Sequence, residues 1–213
     1  MSAESGIKTF RDEDGLWEGH DVMQVASPEG FRKNPELVLE FYNQRRRQLK
    51  EVDPNQAHVD IAALESQYKV TVVTQNVDDL HERAGSTDVV HLHGELLKIR
   101  STGNPSDVRF WTEDINLGDV CPKGYQLRPH IVWFGEDVPM IDTAIKICYA
   151  ADILVIIGTS MQVYPAASLI NFVQPDTPIY YIDPRPAIGN SHNISVIAKS
   201  ATEGMKDLLN VLG

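Results

Sequence analysis

Short apolar, β-branched runs alternate along this chain with longer stretches of helical periodicity. The runs at 70–74, 89–92, 131–134, 153–157, 179–182 and 194–198 are mostly unalternating, as expected of strands covered on both faces. Between them, 35–49, 56–67, 77–84, 140–150, 166–172 and 202–212 read as helices, with Gly85 placed to cap the third. Strand then helix, repeated, predicts an α/β fold with a doubly wound parallel sheet. The polar stretch 100–126 breaks this rhythm and reads as a small excursion lobe, so residues 1–213 are expected to form a single domain. Ligands of such sheets sit at the carboxyl edge of the strands. Thr74-Gln75-Asn76-Val77-Asp78 and His91-Leu92-His93-Gly94 each close an apolar run, and so deliver polar groups to that edge.

Composition narrows the classes of function. The chain is 42% hydrophobic and 23% charged, enough for one core of full size. Nineteen basic against thirty acidic residues give a net charge of −11, and apart from Arg45-Arg46-Arg47 no cluster could track phosphates. Nucleic acid is therefore not an expected partner. An acidic surface favours basic protein segments, such as those around lysines, or simply solubility. Cys121 and Cys148 lack paired spacing, so neither a disulfide framework nor a zinc ribbon is suggested and a reducing cytoplasm fits. No apolar run approaches the roughly 18 to 20 residues of a membrane span, and the opening Met-Ser-Ala-Glu-Ser-Gly lacks the regions of a signal peptide. The oligomeric state is left open.

Five ordered blocks carry a resemblance. Ser2-Ala3-Glu4-Ser5-Gly6-Ile7, with Thr9-Phe10-Arg11 and Gly15-Leu16-Trp17, opens the series. Thr74-Gln75-Asn76-Val77-Asp78 with Leu80-His81 and Ala84-Gly85 follows, then His91-Leu92-His93-Gly94-Glu95-Leu96. Leu127-Arg128-Pro129-His130-Ile131-Val132-Trp133-Phe134-Gly135-Glu136 and Gly158-Thr159-Ser160 with Val163-Tyr164-Pro165-Ala166 complete it. Together they resemble the sirtuins, NAD-dependent protein-lysine deacylases, and imply a Rossmann-like fold.

The resemblance implies roles residue by residue. His93 would be the general base that deprotonates a ribose hydroxyl of NAD, a task suited to an imidazole with an unperturbed pKa near ~6.5. Taken alone, a His after a strand is more often a structural residue. His91, two positions earlier, is read as structural, since a His-x-His pair without a third ligand is a weak metal signal. Gln75, Asn76, Val77 and Asp78 would contact nicotinamide and its ribose, although Asn76 or Asp78 could equally cap the helix that follows. Gly158, Thr159 and Ser160 would bind ribose. Ser2, Phe10, Arg11, Trp17, Asp183 and Ala201 are further expected cofactor contacts, with Phe10 and Arg11 in a loop over the cofactor and Arg11 near the phosphates.

The implied substrate is an acylated lysine in a protein or peptide, added as a strand between 134–136 and 161–163, with Val132, Phe134, Gly135, Glu136 and Val163 as contacts. Its acyl oxygen would attack the anomeric carbon as nicotinamide leaves, and His93 would activate the 2′-hydroxyl against the resulting imidate. Free lysine and O-acyl-ADP-ribose would be the products. Glu40-Phe41-Tyr42-Asn43-Gln44-Arg45 carries the Tyr-x-x-Arg pattern of the branch that removes succinyl and malonyl groups. Residues three apart share a helix face, so the Tyr42 phenol and the Arg45 guanidinium can converge on one carboxylate. Acetyl should be removed more weakly. The alternative reading buries Tyr42 in the core and puts Arg45 on an exposed basic face.

Two departures from the family stand out. Where most sirtuins hold zinc with two Cys-x-x-Cys pairs, this chain has Ser101, Asn104, Cys121 and Gly124, so no zinc is expected. The family's first strand and Gly-Ala-Gly turn would fall before Ser2, so the first strand is expected to be missing and Met1 to be a misassigned start or a truncation. Two other readings stay open: a catalytically weak acyl-lysine binding module, and a mono-ADP-ribosyltransferase.

Overall fold

The computed structural model describes residues 1–8, 16, 17 and 19–213, the side chain of Leu16 excepted. Two short strands, β1 (Leu16–Trp17) and β2 (His20–Asp21), pair antiparallel and lead into helices α1 (Val22–Val25), α2 (Pro28–Lys33) and α3 (Pro35–Leu49). Local chemistry sets the bounds of α3: the Asn34 side chain accepts from the Leu37 amide, and Pro35 fills the first turn, where its missing N–H costs nothing. Val38, Phe41, Tyr42, Arg45 and Leu49 recur at helical spacing along its buried face.

The α/β part follows as α4 (Gln56–Leu64), β3 (Val72–Thr74), α5 (Leu80–Ala84) and β4 (Val89–His91), with β3 and β4 parallel. After an intervening lobe come α6 (Ile141–Tyr149), β8 (Leu154–Ile157), a 3₁₀ segment at Ala166–Phe172, β9 (Ile179–Ile182), β10 (Ile194–Ile197) and α7 (Ala201–Leu212). Strands β8, β9 and β10 form a second parallel sheet. Among the described residues β3 and β8 belong to separate sheets and are not paired with each other. Val72 of β3, Val155 and Ile157 of β8 and Met1 all pack against one buried cluster that includes Met205 and Leu208 of α7.

The lobe is its own sheet. Strand β5 (Gly94–Ser101) pairs antiparallel with both β6 (Asn104–Phe110) and β7 (Leu127–Ile131). The expected strand at 131–134 is therefore displaced: β7 ends at Ile131, tolerates Pro129 beside a register shift, and belongs to the lobe rather than to the parallel sheet. The sheet of the lobe also reaches beyond 100–126, from Gly94 to Ile131. Gly94 makes this possible. It adopts φ 81, and a Cβ there would come within 2.0 Å of the His130 carbonyl oxygen. Asn43 ties the lobe to α3 by accepting from the Ile115 amide and donating to the Ile115 carbonyl, both at 2.9 Å, as a strand neighbour would.

Helix boundaries shift for stated reasons. The helix expected at 77–84 starts only at Leu80, because the Asp78 carboxylate accepts the Leu80 amide and holds 76–78 out of the helix. Gly85 ends it at φ 107, as anticipated. The segment 166–172 is 3₁₀ rather than α.

Candidate active site

The carboxyl ends of β3, β4, β8 and β9 deliver Gln75 to Asp78, His91 to His93, Gly158 to Ser160, and Asp183. The Gln75 amide reaches the Thr159 hydroxyl at 3.4 Å, which brings the two parallel sheets together at this edge. Asn76 donates to the Ser2 hydroxyl at 2.7 Å, and that hydroxyl also bonds Asp78. Asp78 is buried, and burial raises its pKa despite the bonds from Ser2 and the Leu80 amide. Ser2, Asn76 and Asp78, three of the expected cofactor contacts, thus form one polar group at the strand ends.

The two histidines meet adjacent carbonyls of this loop. His93 Nδ1 lies 3.2 Å from the Gln75 oxygen, and His91 Nδ1 3.2 Å from the Asn76 oxygen. A carbonyl only accepts, so Nδ1 of His93 carries the proton and Nε2 keeps its lone pair in the neutral ring. Burial lowers the pKa of His93, against the raising effect of the Gln75 carbonyl, and favours that neutral form. His91 differs. Burial opposes its charge, but Glu82 at 2.7 Å on Nε2 outweighs burial and raises its pKa, leaving His91 to brace the loop.

A second group lies on α3. Trp17 packs edge-on against Phe41, with centroids 4.9 Å apart, and against Tyr42 at 6.3 Å. The Arg45 guanidinium stands 3.2 Å from the Phe41 centroid and 5.2 Å from that of Trp17, and donates to the Phe41 carbonyl. Neither Tyr42 nor Arg45 faces bulk solvent, at 0% and 9% exposed. Arg45 and Trp17 line a cavity of about 40 Å³ whose other wall includes Val77 and Asp78. Trp17 thus stands between the Tyr42 and Arg45 group and the strand-end residues Val77 and Asp78.

The loop after β7 is held from within. Glu136 accepts from Arg100 at 2.9 Å, from Arg128 at 2.7 Å and from the Trp133 amide at 2.8 Å. Burial would raise its pKa, but these partners lower it. Its carboxylate is thus engaged inside the protein, whereas the sequence assigned it to the substrate. Sequence reasoning missed Arg100, which is 36 positions from Glu136 and gave no local signal, and passed over the role of Arg128, the one cation near the Trp-Phe-Gly-Glu block. Gly135, at φ 87, closes the turn, and Phe134 and Tyr164 stand exposed on the two loops expected to flank a peptide. Val132 donates its amide to the His93 carbonyl, and Val163 accepts from the Ala167 amide.

The remaining expected contacts are scattered. Asp183 is buried and accepts the Arg185 amide. The Ala201 amide at the start of α7 is bound by Glu4 at 2.7 Å. Phe10 and Arg11 lie outside the described residues. In the lobe, Ser101 donates to the Cys121 sulfur at 3.3 Å, which joins two of the four positions where the family carries zinc ligands. One thiol and one hydroxyl do not make a four-ligand zinc set, and no cluster of three His, Cys, Asp or Glu suited to a metal occurs among the described residues. The polar groups at the strand ends, by contrast, supply the amide, carboxylate and hydroxyl partners that a dinucleotide requires.

The Sir2 family pattern matches residues 1–165. The chain is 59% identical over 212 residues to an NAD-dependent protein deacylase of Helicobacter pylori (strain ATCC 700392 / 26695), covering 98% of this chain and 92% of that one. It is 52% identical over 219 residues to an NAD-dependent protein deacylase of Bacteroides thetaiotaomicron, covering 100% and 94%. Among solved structures, a Sir2 homologue in complex with NAD matches with a TM-score of 0.86 at 38% identity, over 99% of this chain and 85% of that one. A Sir2 mutant with a p53 peptide and NAD matches with a TM-score of 0.80 at 25% identity, over 100% and 89%. The chain belongs to the Sir2 family and has its Rossmann-like α/β fold. It is an NAD-dependent protein deacylase.

Proposed function

We propose that this deacylase prefers lysines carrying succinyl or malonyl groups and removes acetyl more weakly, with Tyr42 and Arg45 receiving the distal carboxylate. The observation that carries this reading is the Arg45 guanidinium, buried and lining a cavity shared with Val77 and Asp78, with the buried Tyr42 phenol one turn away on the same face of α3. Arg45 is thus withdrawn from the exposed basic face of the alternative reading, although Tyr42 does sit in the core cluster as that reading had it. His93, neutral and with Nε2 as acceptor, takes the proton from a ribose hydroxyl of NAD. Gln75, Asn76, Val77 and Asp78 hold the nicotinamide end, and Gly158, Thr159 and Ser160 the ribose. Free lysine, nicotinamide and O-acyl-ADP-ribose are the products.

The partners are acylated lysine-containing proteins or peptides; the net charge of −11 argues against nucleic acid. No helix among the described residues is long and apolar enough to cross a membrane, and both cysteines are free and buried, which fits a cytoplasmic setting. The lobe is expected to bind no zinc; the packing of Leu39, Ile99, Ile115, Cys121 and Leu127 supports this reading, and elemental analysis of the purified protein tests it.

The deciding experiment compares desuccinylation and deacetylation by the wild type and by Arg45→Met. Charge-assisted hydrogen bonds contribute about 1.5–3 kcal/mol, so desuccinylation should fall roughly tenfold to a hundredfold more than deacetylation. Equal losses of both activities would remove the clamp.

A further inference from the structure

We propose that Trp133 is a specificity-determining residue, whose indole N–H orients the Tyr42 phenol as a hydrogen-bond donor toward a carboxylate on the acyl group. Trp133 Nε1 lies 3.0 Å from the Tyr42 oxygen, with both side chains buried. An indole can only donate, so the phenol oxygen must accept, and its own proton is directed away from the indole. That proton meets no acceptor among the described residues. A buried donor in this state is what a ligand carboxylate completes, at a geometry settled before it arrives.

Trp133 is held firmly enough to impose this direction. The Arg128 guanidinium stands 3.2 Å from its ring centroid, and Phe31 packs at 5.2 Å. Its backbone amide is tied to Glu136, which Arg100 and Arg128 grip from β5 and β7. Contacts thus run without a break from the lobe strands through Glu136 and Trp133 to Tyr42. Burial also raises the pKa of the phenol, which keeps it protonated and able to donate.

This inference rests on the Tyr42 and Arg45 reading, and its test separates the two. In Trp133→Phe an aromatic side chain is kept, though a smaller one, and the N–H is lost. The ratio of desuccinylation to deacetylation, each as kcat/KM, should fall about tenfold, mainly through KM for the succinylated peptide. In a Tyr42→Phe background the same substitution should change that ratio less than twofold. A second measurement needs no change at position 133. Tyr42→Phe should shift one indole N–H resonance in the ¹⁵N NMR spectrum, and a succinylated peptide should shift the same resonance while an acetylated one does not. If Arg45→Met is selective but Trp133→Phe leaves the ratio intact, or the indole resonance ignores the acyl group, Trp133 has no such role and the clamp stands. If Arg45→Met is itself unselective, both readings fall.

Discussion

Acid should unfold this protein through one buried pair of imidazoles. His58 of α4 and His81 of α5 pack edge to face with centroids 4.8 Å apart, and both are buried. Burial pushes each pKa from 6.5 down to about 4, helped at His58 by the neighbouring His81 ring. In the unfolded chain the same rings take up protons as the pH falls through about 6.5, so stability present at neutral pH is lost progressively between about 6.5 and 4. At pH 5 each ring costs roughly 2 kcal/mol, and the pair roughly 4, out of the ~5–15 kcal/mol typical of a folded domain. His93 and His130, also lowered by burial, act in the same direction, whereas His91, raised by Glu82, acts against them. At about 2–4 °C per kcal/mol for a chain of this size, Tm should drop by roughly 10 °C between pH 7.5 and pH 5. Thermal melts followed by circular dichroism at constant ionic strength measure this drop. His81 makes no side-chain hydrogen bond among the described residues, so His81→Phe deletes one titrating ring at little other cost, and the drop should shrink by about a third to a half. An equal drop in wild type and variant would refute the argument.

Two further outcomes are expected. Gly94→Ala should destabilise the protein by about 3 kcal/mol, since its Cβ would meet the His130 carbonyl oxygen at 2.0 Å and φ is 81; an unchanged urea midpoint would contradict the close approach of β5 and β7. Turnover in wild type should fall on acidification only below about pH 6.5, because the pKa of His93 is lowered, and His93→Ala should lose roughly 10²–10⁴-fold in rate at every pH; a rate that survives this substitution would displace His93 as the base.

Much of the parallel part was legible in the chain. Helix α3 matches its expected bounds because Asn34 and Pro35 mark its start and its apolar spacing marks its buried face. Strand β9 matches because Ile-Tyr-Tyr-Ile is a short, unalternating apolar run, the pattern of a strand covered on both faces, and Ile179, Tyr181 and Ile182 are buried. The lobe was not legible. Strand β5 carries charges at Glu95, Lys98 and Arg100 and contains no long apolar run, and β7 contains a proline, so local pattern pointed elsewhere. Their pairing depends on partners some thirty residues apart and on a glycine that lets two backbones touch.

The site divides along the same line. Residue identity alone placed Gln75, Asn76, Asp78 and His93 at strand ends, because a period-two strand stopped by polar residues must release them at its edge. Only the folded chain decided that Gln75 and Asn76 receive the two histidines on their carbonyls, that Glu136 turns inward to Arg100 and Arg128, and that Trp133 donates to Tyr42. These are contacts between elements distant in sequence. Their directions come from packing, which local preference cannot encode.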